Sequence, residues 1–525
     1  MSDSVQGAGS LYSTHTFILP FVFNQGSVPA SDFQSPNWQR LSDTGSDLPY
    51  LSALVDSDNE GAEVVRNRVN YAYARYFNSE AKEINYRNSD LVQNYRYKNG
   101  ENSLYRITYN EEHTLKVYQL PINYIFLRYL PKLNAGFLVI STSNYEYRSL
   151  EDCKKINQYG RRIYNPFLSS NLDFAEAPNN LEIIPQKEAD RPTEKTKYLE
   201  SYSIMDAPRK LLGDFFGLSE ESIFPEVNTK GPSIDVIIDD RMFVHSYITV
   251  EKEFSPQDKE AGNAKRGLVR KTSSWGSLTK KELQELYAIA YIDKADASCT
   301  SQDMLKELVK VASYTRWSGY GNLYLTTQHS FVFLSDTSSF PDFLIHNFQS
   351  EYLEMVLLVL SQRVGILKYS KDAGDSVSKG AAELLQLQEA YVTFKNQYML
   401  PEISAQEQAV ELYALLQDAL YISKYFHPLD NQVTSLHEIG QTKEAARQRI
   451  ADEKLNKELY LLTIIAALPI LSEFIVLILS VLVHKFHIEI TSTSILSDKL
   501  KFLSYILSIG VVLYVYHYRA KKKEK

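Results

Sequence analysis

Two adjacent arginines, Arg161 and Arg162, lie in INQYGRRIYNPF, which runs from Ile156 to Phe167 and also carries the amide of Asn157 and the ring of Tyr164. Side-by-side guanidinium forks suit a phosphate, which each can engage through paired N–H donors, and an aromatic face suits a base. Asn157, Arg161, Arg162 and Tyr164 are therefore the candidate ligand-binding residues, and a nucleotide-like molecule is the chemistry they fit. They belong to a wider pattern: the chain has 37 tyrosines, many interleaved with arginine in NRVNYAYARYF, INYRN, NYRYKNG and LYRITYN. The plainer explanation of that pattern is that tyrosine forms strands well and arginine suits a surface.

A second set of polar residues sits in apolar surroundings near the C-terminus. Leu459 to Val483 reads LYLLTIIAALPILSEFIVLILSVLV, about 25 residues with Glu473 as the one charge. At 1.5 Å rise per residue this crosses a hydrocarbon core of about 30 Å. A carboxylate there is expensive and marks a functional position facing protein or water. With 3.6 residues per turn, Ala466, Ile470, Glu473, Leu477, Ser480 and His484 fall on one stripe, the expected pore face. The alternative role for Glu473 is a protonated hydrogen-bonding contact between helices. His484 and His487, at i and i+3, are the candidate metal ligands of a symmetric ring, or simply polar residues at the membrane surface. Asp235, Asp239 and Asp240 are explained by turn chemistry. No phosphate-loop, dinucleotide-turn, zinc-protease or nucleophile-elbow pattern occurs, so an enzyme is not expected.

The elements that must hold these residues follow from patterning. Phe502 to Tyr518 is a second, shorter apolar stretch, and lysine and arginine flank the pair: Arg447, Arg449, Lys454 and Lys457 before it, RAKKKEK after it. The positive-inside rule then places both termini in the cytoplasm, in a multi-pass protein of the cell inner membrane surrounded by lipid. Upstream, Leu384, Leu387, Tyr391, Phe394 and Tyr398 form a heptad seam, Ser404 is the expected N-cap of the next helix, and Leu412, Leu416, Ala419, Ile422 and Phe426 continue a helical stripe. Residues 1–375 read as a mixed α/β cytosolic ligand-sensing domain. Phe17 to Phe23 is its first strand, SIDVIIDDRMFVHSYITV (233–250) a β-hairpin, and 133–143 and 322–335 are buried strands. Stretches 185–200 and 255–283 read as exposed loops. The expected class is α+β: domain 1–375, helical stalk 376–458, and a two-span hairpin with basic tail, 459–525.

Bulk properties bound the function. A net charge of -8 over 525 residues argues against coating nucleic acid, and no direct nucleic-acid binding is expected. Two cysteines, Cys153 and Cys299, are too few for a disulfide framework. Two spans cannot enclose a pore, so any transport implies a homo-oligomer.

The hairpin entered through KELYLLTIIAALPI, after long charged helices, resembles the CorA family of divalent-cation channels. The resemblance covers about the last 150 residues, and LLTIIAALPI, Leu461 to Ile470, is its most specific stretch. It implies a funnel-shaped pentamer around the first span and a divalent cation as cargo. The family's Gly-Met-Asn triplet after that span is replaced here by SVLVHKFHIEI, which separates the architecture from magnesium selectivity. Some CorA-like proteins accompany type III CRISPR systems as effectors gated by a nucleotide second messenger, in one group an S-adenosylmethionine–AMP adduct. The similarity in plan implies such a membrane effector in antiviral defence, disrupting ion gradients when its messenger binds. The alternatives are a divalent cation transporter or channel without a defence role, and a non-conducting scaffold or receptor.

Overall fold

The computed structural model describes residues 12–24, 35–41, 75–87, 90–111, 114–164, 178–190, 205–225, 231–250, 267–293, 298–336, 343–485 and 493–523. The chain is mixed α/β and divides into two compact units, Met1–Ser378 with Gln386–Ser435, and Lys379–Leu385 with Leu436–Lys525.

A large sheet dominates the first unit. Its strands are β1 (Ser13–Asn24), β2 (Trp38–Arg40), β3 (Gln93–Tyr97), β4 (Ser103–Glu111), β5 (Thr114–Leu130), β6 (Ala135–Asn144), β7 (Pro178–Pro185), β8 (Ser233–Val236), β9 (Phe243–Thr249), β10 (Ser313–Tyr314), β11 (Asn322–Thr326) and β12 (Ser330–Ser335). The main order is β10-β11-β12-β9-β1-β6-β5-β3-β2; β4 joins β5 to β7, and β8 pairs with β1. β12 lies parallel to β9, and the other pairs are antiparallel. β1 is central, so its apolar run FILPFVF is covered on both faces and reads as nearly continuous rather than alternating.

Two expectations about strands are corrected. Residues 233–250 are not a hairpin: β8 and β9 both pair with β1, Val236 opposite Phe21 and Phe243 opposite Ile18. They are one interrupted strand, and the break at 237–242 lies across from Leu19 and Pro20, where proline brings no N–H to a ladder. Asp239 and Asp240 therefore occupy a bulge, not a reversal. Residues 322–335, conversely, are a hairpin, β11 and β12, turning at Thr327, Gln328 and His329.

The longer helices of the first unit are α1 (Leu150–Gly160), α2 (Asp206–Phe216), α3 (Lys280–Tyr291), α4 (Gln302–Val311), α5 (Leu353–Ser376), α6 (Ala381–Tyr398, partly in the second unit) and α7 (Glu407–Ala419). α3 and α4 cover the β9–β12 face, joining Val332 and Leu334 to Leu286, Ile289 and Val309 in one buried cluster. Of the loop expected over 255–283, residues 255–266 lie outside the described residues, Leu268–Lys271 form a helical turn, and α3 begins at Lys280, where Thr279 and Glu282 form a reciprocal capping box. α5 is anchored from within. Arg128 of β5 grips Glu354 with two bonds of 2.7 and 3.0 Å, both side chains being buried. Gly365 lets Phe394 of α6 lie against α5: a Cβ there would sit 2.0 Å from the ring. The seam Leu387, Tyr391, Phe394 and Tyr398 is buried as its spacing predicts.

Ser404 is not the N-cap of α7, which starts at Glu407; its hydroxyl donates to Tyr76 O and accepts from Gln406 N instead. The stripe expected to run unbroken to Phe426 is interrupted at Tyr421, whose φ of 54° ends α7. α8 (Ile422–Lys485) begins at the next residue and continues without interruption through the apolar stretch. In the second unit Lys443 Nζ donates to Lys379 O and Gly440 admits Leu384. α9 (Thr493–Lys523) buries Ser504 and Ser508, whose hydroxyls bond carbonyls of their own helix.

Candidate functional site: an arginine cluster at the break in the central strand

Arg161 and Arg162 are positioned by the end of α1. Ser149 caps its start by accepting from Asp152 N at 2.9 Å. At its end Gly160 meets Phe17 of β1 so closely that a Cβ would lie 2.4 Å from the ring, and Tyr105 donates to the Gly160 carbonyl at 2.8 Å. The chain then turns, Arg162 N bonding Tyr159 O, and meets the interrupted strand. Met242 N donates to Arg161 O at 2.7 Å, and Arg162 forms an antiparallel bridge with Arg241. Three arginines thus come together where α1 ends, and the helix's negative end favours positive charge there.

Arg161 is only 2% exposed. Its Nη2 donates to Ile292 O at 3.2 Å, while Nε and Nη1 have no hydrogen-bond partner among the described residues. Burial first, then the charges of Arg241 and Arg162, pull its pKa down to about 9 against the opposing pull of Asp239 and Asp293. Arg162 is displaced downward for the same reasons, burial leading and Arg241 next. The neighbouring carboxylates are engaged by groups other than Arg161. Asp239 lies 3.4 Å from His329 Nδ1, Asp240 lies 3.4 Å from Arg241 Nε, and Asp293 accepts from Ser298. Burial pushes Asp239 up, but bonds from His329 and Asp240 outweigh it and hold the carboxyl well below its ordinary range; Asp240 rises, chiefly through its bond with Asp239. Burying a guanidinium with donors unspent is costly. An anion with two or more oxygens would satisfy those donors, as a phosphate does.

The four expected ligand residues do not all face one place. Arg161 and Arg162 meet in the cluster. Asn157, a turn earlier on α1, has its amide in a buried network: His15 Nδ1–H donates to Asn157 Oδ1 at 2.6 Å, and Asn157 Nδ2 reaches Ser246 at 3.4 Å. Tyr164 is half-buried with its ring 6.2 Å from that of Phe224. Sequence reasoning missed Arg241 and His329 as members of the cluster and assigned Asp239 and Asp240 to turn chemistry. The available signal was the run DDR at 239–241, a charged triplet between two apolar strands.

The second candidate set lies on α8, the one described helix long and apolar enough to cross a membrane; α9 contains a shorter apolar stretch, Lys501–Tyr514. Glu473 is exposed and shares a groove of about 490 Å³ with Ala467, Ile470, Leu471, Phe474 and Leu477. Ser480 is exposed too, its hydroxyl donating to Leu477 O at 2.7 Å. His484 belongs to the same helix, and His487 lies outside the described residues. Among the described residues no group of three or more His, Cys, Asp and Glu is disposed to hold a metal. Comparison of the chain with protein-family models, with curated proteins and with solved structures gave no match.

Proposed function

We propose that this chain is a homo-oligomeric membrane channel of CorA-like plan, gated by a phosphate-bearing second messenger, and that it acts in type III CRISPR antiviral defence by collapsing ion gradients. The observation that carries the reading is Arg161: a buried guanidinium with two donors unspent, beside Arg162 and Arg241, in a chain that also carries a long apolar helix. The messenger's phosphate would take Arg161, Arg162 and Arg241, and its binding would favour an open arrangement by population shift. α8 and the apolar part of α9 would form the hairpin in the inner membrane, with both termini cytoplasmic. In a ring of copies, a pentamer by resemblance, Glu473, Ser480 and His484 would face the axis, and a ring of carboxylates would attract cations. A divalent cation channel without a defence role is the alternative.

The test is flux through proteoliposomes. Vesicles holding the full-length protein are loaded with potassium, and leakage is read while ATP, AMP, cyclic nucleotides and an S-adenosylmethionine–AMP adduct are added in turn. The proposal expects leakage on addition of at least one nucleotide, and none from the Arg161→Ala/Arg162→Ala variant. Steady magnesium flux without any nucleotide, equal in that variant, would favour the transporter alternative.

A further inference from the structure

Beside the arginine cluster lies a cavity of about 240 Å³ lined by Ile238, Asp239, Gln328, His329, Arg363, Leu420 and Tyr421. It is below the roughly 300–1,000 Å³ that encloses a drug-sized ligand, so it has room for one planar ring system rather than a whole nucleotide. Its lining is chemically mixed. Arg363 lays its guanidinium over the Tyr425 ring at 4.1 Å and keeps Nη1 buried without a hydrogen-bond partner among the described residues. The Asp239 carboxylate and the Gln328 amide stand in the same wall, tied together through His329, whose Nδ1 lies 3.4 Å from Asp239 and whose Nε2 lies 3.0 Å from Gln328 Nε2. Tyr421 is 43% exposed at the mouth. A notch of about 10 Å³ shares Ile238, Asp239, Gln328 and His329 with this cavity and reaches Arg241, which bridges to Arg162. The ring-sized space and Arg241, one member of the cluster, thus share a wall.

The backbone at Tyr421 is the second observation. Its φ of 54° is the left-handed conformation that ends α7, a position where glycine or asparagine avoids the clash that a side chain brings. A large aromatic residue held there against its preference marks a site where the side chain has a use. Tyr421 is also the residue immediately before α8.

We propose that this cavity binds the base of the nucleotide whose phosphate occupies the arginine cluster, with the ring set against Tyr421 and Arg363 and its edge read by Asp239 and Gln328, which His329 holds in place. The inference rests on the phosphate reading of Arg161 and Arg162. It adds that ligand identity is sensed at the α7–α8 turn, next to the start of the helix that holds the apolar stretch.

The experiment compares AMP, GMP and inorganic phosphate by calorimetry on the full-length protein in detergent. Wild type should bind the better of the two nucleotides at least tenfold more tightly than phosphate. Tyr421→Asn suits the left-handed backbone and removes the ring, so it should fold with an undiminished melting temperature. It and Arg363→Gln should bring the nucleotide-to-phosphate ratio close to one while phosphate affinity stays within about twofold of wild type. A wild-type ratio near one, or a ratio unchanged in both variants, overturns the base site and leaves the phosphate reading standing. Absence of both nucleotide and phosphate binding in wild type overturns the two together.

Discussion

Replacing Arg161 with methionine should make the ligand-free protein more stable, the reverse of what removing a structural arginine does. About 1.4 kcal/mol accompanies each tenfold change in proton affinity. Burial and two neighbouring guanidiniums bring Arg161 from its ordinary value to about 9, so holding it charged at pH 7 costs on the order of 4 kcal/mol. The sign is set by that direction: the charged form is disfavoured in the folded state, the cost is fully present at neutral pH, and it is relieved only as pH rises through about 9. Methionine loses the bond to Ile292 O and part of the packing, worth about 1–2 kcal/mol, leaving a net gain of about 2 kcal/mol. In a unit of this size that is a rise of roughly 2–3 °C in the melting midpoint. The assay is thermal unfolding by intrinsic fluorescence, with and without inorganic pyrophosphate. Wild type should be raised by pyrophosphate, whereas Arg161→Met should start higher and not respond. A midpoint below wild type in the methionine variant would refute the reasoning, because it would mean the guanidinium is already satisfied.

Three further outcomes are expected. Glu354→Gln removes the carboxylate that neutralises the buried Arg128, whose Nε still donates to Asn94, and should cost about 3–5 kcal/mol, read as a fall in the same midpoint, whereas a surface pair such as Lys210–Asp206 should give less than about 1 kcal/mol on mutation. Burial holds His15 and His245 neutral, with pKa values down to about 4 and about 3, so below pH 6.5 the unfolded chain takes protons that the folded one refuses. Burial pushes Glu351 up to about 7, which opposes this, because between about pH 7 and 4.5 the folded chain holds a proton that the unfolded one has released. Stability should therefore fall by about 1.4 kcal/mol per pH unit between pH 6.5 and 4.5, and about twice as steeply in Glu351→Gln, as checked by unfolding midpoints across that range. Finally, Glu473→Gln should lower cation flux in proteoliposomes while assembly persists; wild-type flux would instead leave Glu473 as a hydrogen-bonding contact between helices.

The parts of this architecture that announce themselves in sequence are those governed by local period. FILPFVF had to be a strand, and Leu387, Tyr391, Phe394 and Tyr398 had to share a helix face, because those patterns depend on neighbours within a turn or a pleat. The break between β8 and β9 was not legible. Alternation on both sides of two aspartates looks the same whether the chain reverses or bulges, and the difference is made by Pro20, more than two hundred residues away. Arg161 and Arg162 were readable as a pair. Arg241, in the break between β8 and β9, and His329, in the β11–β12 turn, are brought to them by sheet order, which no local pattern encodes. Tyr421 is illegible for a different reason: its backbone conformation belongs by habit to glycine or asparagine, so nothing in KYFHPL or DALYIS signals that α7 ends there.

Direct titration of the full-length protein with ATP by calorimetry tests the central claim most simply, with wild type compared to Arg161→Ala/Arg162→Ala and assembly checked by mass photometry. Each charge-assisted bond is worth about 1.5–3 kcal/mol. The account therefore predicts measurable binding by wild type and at least a hundredfold loss in the double variant with the oligomer unchanged. Equal affinity in the two proteins would contradict it, and would move the phosphate away from the arginines at the end of α1.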